Sequence, residues 1–111
     1  MMIYIAGKYS DDSREAIKRN IAAAEEIGRQ ILASGHIPII PHKISSFWDE
    51  KEPLRKWQHE DWINKFCLPL MDRCDAVFMV PKWETSTGAT MEYHHARRKG
   101  MKIYFMTEAI C

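Results

Sequence analysis

Met2-Ile3-Tyr4-Ile5-Ala6-Gly7 opens the chain with an unbroken apolar run closed by a glycine, and its reading decides the fold. β-Branched and aromatic side chains without polar alternation are the pattern of a strand covered on both faces, as in a parallel sheet between layers of helix. The run is far too short for a signal peptide or a membrane span, so it reads as a first, central strand. A polar loop, Lys8 to Asp12, follows it. Ile17, Ile21, Ala24, Ile27 and Ile31 then recur at helical spacing, with Ser13 or Asp12 placed to cap this long helix and Gly35 placed to end it. Ile37-Pro38-Ile39-Ile40-Pro41 predicts a second strand, at the sheet edge because proline cannot donate to a ladder.

Further along, the pattern loosens. His42 to Glu52 carries Ser45, Ser46, Phe47 and Trp48 without a period, which predicts a loop with one helical turn crossing the mouth of the sheet, its aromatics candidates for a lid. Leu54, Trp57, Phe66, Leu70 and Met71 suggest a helix between Pro53 and Cys74 that Pro69 should kink or split. Asp75 to Val80 is a third buried strand, Ser86 to Lys99 a third helix closed by Gly100, and Lys102 to Met106 a fourth strand. Strands alternating with helices in this order predict one α/β domain over residues 1–111. The expected architecture is a flavodoxin-like or Rossmann-like three-layer sandwich with a parallel sheet of roughly four to five strands. Ligands of such sheets bind outside the strand carboxyl ends, where strand order reverses. Three loops meet there: Gly7 to Asp12, Pro41 to Trp48, and Pro81 to Gly88.

Composition sets limits on partners. With 111 residues and 46% hydrophobic content, the chain has material for one core and not two. Sixteen Lys and Arg nearly balance fifteen Asp and Glu, leaving no positive field to hold polymeric nucleic acid or an anionic membrane surface. Cys67, Cys74 and Cys111 are odd in number and in no framework spacing, which points to reduced thiols and a cytoplasmic protein.

Glu92 is the most informative residue. Ala89, Tyr93 and Ala96 define the core-facing stripe of the third helix, and Glu92 lies within that stripe, where a carboxylate costs several kcal/mol unless paired or hydrogen-bonded. It is either a functional group or a carboxylate that pairs with a buried partner or reaches out at the sheet edge. Ser86-x-Gly88 stands at the start of the same helix, where backbone N–H groups, a hydroxyl and a residue without a side chain suit one phosphate; simple capping accounts for the same residues. Gly7-Lys8-Tyr9-Ser10 offers a neighbouring polar loop that has neither Walker nor dinucleotide spacing. His42, ending the second strand, is the histidine placed near the site. His36 follows the helix-ending glycine and is expected to meet the helix end, while His94 and His95 are adjacent on a helix and point apart. With no His-x-x-x-His or Cys-x-x-Cys pair, neither a metal nor another cofactor is expected. Trp48 and Trp83 are candidates to stack on a flat base, or to pack in core or lid.

Ile3-Tyr4-Ile5-Ala6-Gly7-Lys8-Tyr9-Ser10, Gly35-His36-Ile37-Pro38 through Pro41-His42, Cys74-Asp75-Ala76-Val77 and Ser86-x-Gly88-x-x-x-Glu92 together resemble the nucleoside 2-deoxyribosyltransferase superfamily, especially its small microbial and phage members. The resemblance runs through nearly the whole chain. It implies a flavodoxin-like fold, a homodimer or larger homo-oligomer, and cleavage of the N-glycosidic bond of a deoxyribonucleoside or its monophosphate. It implies that Glu92 is the nucleophile on the anomeric carbon, by the retaining logic of glycosidases. Ser86 matches a position that is aspartate in the nucleoside transferases and serine in the monophosphate hydrolases, where it helps hold the phosphate. The loop Gly7, Lys8, Tyr9, Ser10 is implied to surround sugar or phosphate, with Lys8 where small members often have proline. One departure stands out: Cys67 occupies the place of an aspartate near the base, and a thiol is a poor proton donor there. Asp61 and Asn64, earlier on the same helix, are candidates to replace it. The alternatives to an enzyme are a nucleotide-binding or sensing module that has lost the chemistry, and a structural or partner-binding protein with no small ligand.

Overall fold

The computed structural model describes residues 1–111. Four strands, β1 (Met2–Ala6), β2 (Ile37–Ile39), β3 (Ala76–Met79) and β4 (Lys102–Tyr104), form one sheet in the order β2-β1-β3-β4. Every pairing is parallel, with Ile3 opposite Pro38 on one side and Ala76 on the other. The first strand is thus interior and the proline-bearing strand lies at the edge, as their compositions require. Strand order reverses between β1 and β3, so their carboxyl ends flank the crevice where this class of sheet takes ligands.

Side-chain alternation along β1 divides the core. Ile3 and Ile5 face α1 (Arg14–Ala33), packing with Ala24, Ile31, Phe78 and Val80. Tyr4 and Ala6 face the other layer, with Met71, Val77, Met79, Ala89 and Ala96. That second layer contains α5 (Thr87–Lys99) and an irregular helical stretch preceding β3. Ser13 caps α1, its side chain accepting from the Ala16 N–H, and Ser86 caps α5 in the same way through the Ala89 N–H. Tyr93, expected on the core stripe of α5, is only half-buried, and the buried positions are Ala89, Glu92 and Ala96. Its ring lies instead against Trp83 at the margin of the layer.

Between β2 and β3 the chain makes short helical pieces: α2 (Pro41–Ile44), 3-10 turns at Trp48–Glu50 and Leu54–Lys56, then α3 (His59–Trp62), a π turn (Ile63–Cys67) and α4 (Leu68–Asp72). The kink expected at Pro69 takes the form of that π turn. Leu68 donates to the Ile63 carbonyl, and Pro69 falls in the first turn of α4, where a missing N–H costs least. His36 meets the amino terminus of Met1 through Nδ1 at 3.0 Å as well as following the end of α1. The fourth strand stops at Tyr104, leaving Phe105 and Met106 exposed. No helix is long and apolar enough to cross a membrane.

Candidate functional site

A cavity of about 460 Å³ opens at the carboxyl ends of β1 and β3. The loop after β1 supplies Gly7, Lys8, Tyr9 and Ser10; the segment after β2 supplies Pro41, His42, Ser45 and Asp49. The irregular helix contributes His59, Trp62, Ile63, Phe66 and Cys67, and the start of α5 contributes Thr85 to Ala89 with Glu92. Eight residues that the sequence placed at the site, Gly7, Lys8, Tyr9, Ser10, His42, Ser86, Gly88 and Glu92, line one cavity, although they are spread over most of the chain.

Two glycines make room for it. A Cβ on Gly7 would lie 2.8 Å from Val80 Cβ, so only glycine lets the loop leave β1 against the end of β3. A Cβ on Gly88 would lie 3.3 Å from both His59 Nε2 and Ile63 Cδ1, so its absence lets the irregular helix close against the first turn of α5.

Glu92 is 4% exposed and receives a hydrogen bond from the Tyr4 hydroxyl. Tyr4 is fully buried on β1, and the alternation of that strand aims it at α5. Burial pushes the Glu92 carboxyl up to about 7, against the opposing pull of Tyr4 and of the Cys67 thiol, both of which hydrogen-bond the ionised form. Burial, reinforced by the Glu92 charge, lifts the Tyr4 hydroxyl well above its ordinary value. The same two causes raise the Cys67 thiol to about 12. A carboxyl poised near neutrality, fixed by a strand tyrosine and open to a cavity, has the properties required of a nucleophile or an acid–base group.

The opposite wall is also ordered. His42 is 5% exposed; its Nε2 donates to the Gly7 carbonyl at 3.1 Å, while its buried Nδ1 has no partner. Burial lowers its pKa, outweighing the Gly7 and Lys8 carbonyls, so the ring is neutral with Nδ1 as an acceptor. Tyr9 packs against that imidazole at 5.5 Å, and its hydroxyl accepts from the Phe47 N–H at 2.8 Å. Phe47 adopts a left-handed backbone, φ 64°, and lies under the Arg14 guanidinium at 3.9 Å, while Arg14 also pairs with Glu50. The segment over the cavity mouth is thereby tied to the start of α1. Lys8 shares its charge with Asp11, Nζ to Oδ2 3.6 Å.

Several expectations are corrected. Neither Trp48 nor Trp83 lines the cavity to stack on a base: Trp48 is exposed, and Trp83 takes the packing alternative, stacked on Tyr93 at 4.6 Å against the core. Trp62, Phe66 and Tyr9 are the cavity aromatics. Asp61 and Asn64 stand outside it as well. Asp61 serves the start of α3, accepting from the Gln58 N–H at 2.8 Å and pairing with Lys65, and Asn64 is exposed. Sequence reading missed Tyr4, Asp49 and His59. A tyrosine in an all-apolar strand reads as core, and His59 and Asp49 lie in a stretch without periodicity.

The chain belongs to the family described as "Domain of unknown function (DUF4406)", whose model matches residues 1–105 and so includes every residue of the cavity. No curated protein matches the chain. The family description assigns no activity, and function has to be argued from the cavity itself.

Proposed function

We propose that this protein cleaves the N-glycosidic bond of a deoxynucleoside or its 5′-monophosphate, as a hydrolase or a deoxyribosyltransferase, with Glu92 as the nucleophile. The observation that carries the reading is the buried Glu92 carboxyl at the cavity wall, held by Tyr4 and one helical turn beyond Gly88. That turn advances about 6 Å, close to the span from a 5′-phosphate to the anomeric carbon of its sugar. A phosphate at the amino end of α5 would then bring C1′ to Glu92. A carboxylate oxygen of Glu92 attacks C1′, the C1′–N bond breaks, and the base departs with the bonding pair and takes up a proton. Water, or the nitrogen of a second base, then attacks C1′ of the glycosyl ester and releases Glu92. Ser86, in place of the aspartate of nucleoside transferases, removes a negative charge that would repel a phosphate, supporting the monophosphate as the better substrate.

Incubation with common deoxynucleosides and their monophosphates should release free base, faster from the monophosphates, and Glu92→Ala should abolish release. Absence of free base from every substrate would refute the proposal. A second reading, a nucleotide-binding or sensing module, is favoured by one observation: Cys67, where an aspartate is expected, holds its proton up to about 12 and is a poor donor to a departing base. Under that reading monophosphates raise the melting temperature without turnover, by about 2.7 kcal/mol of stabilisation at a hundredfold excess over Kd. Assembly as a homodimer belongs to the same proposal, and sedimentation showing monomer alone would count against it.

A further inference from the structure

When a base departs from C1′ the bonding pair stays on its nitrogen, and a neutral purine or pyrimidine carries that pair away readily only if an acid protonates it. The groups beside Glu92 supply no such acid. Tyr4 and Cys67 are its partners, and burial together with the Glu92 charge holds the proton on each of them. Glycosidases that cleave through a carboxylate pair place a second carboxyl a few ångströms from the first. Here Asp49, the other carboxylate of the lining, comes from the 3-10 turn over the cavity mouth. His42 commits Nε2–H to the Gly7 carbonyl, and burial keeps its ring neutral. His59 lies across Gly88, one helical turn from Glu92. The centre is a nucleophile without an adjoining acid.

The rest of the lining favours positive charge. Tyr9, Trp62 and Phe66 are its aromatic residues, with Trp62 and Phe66 edge to face at 6.1 Å, and aromatic ring faces attract cations. Asp49 forms no ion pair, since Arg14 is taken by Glu50 and by the Phe47 ring. Lys8, the one lysine or arginine of the lining, is offset by Asp11. Ionised Glu92 adds a further negative charge.

We infer that the preferred substrate is a deoxynucleoside or deoxynucleotide whose base already carries a positive charge, a pyridinium or an N7-alkylated purine. This deepens the reading above and rests on it for the bond that is cleaved. An oxygen of Glu92 bonds to C1′, the C1′–N bond breaks, and its electron pair returns to the ring, cancelling the positive charge. The base leaves neutral, and no proton is transferred to it. Water then attacks C1′, the ester bond breaks to restore the Glu92 carboxylate, and one proton passes to solvent. Cys67 in place of an acid thus marks a class of leaving group rather than a loss of activity.

The test follows base release from two charged substrates, deoxyribosyl nicotinamide 5′-monophosphate and N7-methylated deoxyguanosine 5′-monophosphate, beside unmethylated deoxyguanosine 5′-monophosphate. Each is read against its spontaneous hydrolysis and against Glu92→Ala. A general acid would help only the neutral base, compressing the ratio of charged to neutral rates by roughly 10²–10⁴-fold. Without one, the catalysed ratio should equal or exceed the spontaneous ratio, and the charged substrate that meets this condition identifies the source of the base. Calorimetry gives a readout independent of turnover. Nicotinamide methylated on its ring nitrogen, a cation without a sugar, should bind roughly tenfold more tightly than neutral nicotinamide. Its binding near pH 7 should release protons, because a cation beside Glu92 favours the ionised carboxylate. A compressed rate ratio for both charged substrates, or a cation that binds no more tightly than nicotinamide, would overturn the inference, and cleavage of the unmethylated nucleotide would leave the glycosidase reading standing. Release from a charged substrate alone would uphold the inference and remove common deoxynucleotides as substrates. No release from any of the three would overturn both.

Discussion

Replacing Tyr4 with phenylalanine removes one hydroxyl from the core and tests how the cavity carboxyl is tuned. Glu92 titrates near 7 because burial raises it while the Tyr4 and Cys67 hydrogen bonds pull the other way. A hydrogen bond to an ionised group contributes about 1.5–3 kcal/mol, which at 1.36 kcal/mol per pH unit corresponds to about one to two pH units. In Tyr4→Phe the carboxyl should therefore titrate between about 8 and 9, and its ionised fraction at neutral pH should fall from about one half to between about one-tenth and one-hundredth. Carbon-13 NMR of labelled glutamate reads the midpoint directly, without assuming any activity. If Glu92 is the nucleophile, base release at pH 7 should fall in proportion and recover as the pH is raised, with the rising limb displaced by the same interval. Superimposable titrations of the two proteins would refute the tuning argument, as would a Glu92 midpoint in the intact protein near the ordinary value of 4.5.

The raised Glu92 pKa also sets a sign for stability. The folded state holds a proton that the unfolded state releases, so between about pH 4.5 and about pH 7 this group makes stability fall as pH rises, by on the order of 3 kcal/mol. Urea unfolding at both ends of that window should show the difference shrinking in Glu92→Gln; identical pH dependence in the two proteins would contradict it. Gly7→Ala puts a methyl group 2.8 Å from Val80 Cβ and should cost about 1–3 kcal/mol in the same assay, whereas a change below about 0.5 kcal/mol would show that the loop leaves β1 less tightly than described. Arg14→Ala removes the guanidinium over Phe47 and its pairing with Glu50. Both side chains are largely solvated, so global stability should change by less than about 1 kcal/mol, while hydrogen exchange of the Phe47 to Lys51 amides accelerates. Unaltered exchange there would mean that Arg14 does not hold the segment.

Much of the framework was legible along the chain because its causes are local. The uniform apolar run of β1, the prolines of β2 and the serine caps of α1 and α5 act within a few residues of where they stand, and they predicted strands, an edge and helix starts close to those found. The anomaly of Glu92 was legible for the same reason, since helical periodicity alone places it on a buried face. Contacts between distant segments were not. Tyr4 and Glu92 are 88 positions apart, and a strand buried on both faces has no polar alternation to reveal which of its side chains meets which layer. The course of each connection decided that Tyr4 faces α5 and Ile3 faces α1. His59, Trp62 and Cys67 reach the cavity through a helix whose π turn breaks the period, so no fixed spacing in the sequence identifies its inward side. Sequence determined that a buried carboxylate would stand near the strand ends; only the packing of the layers decided which groups touch it and which stand across the cavity from it.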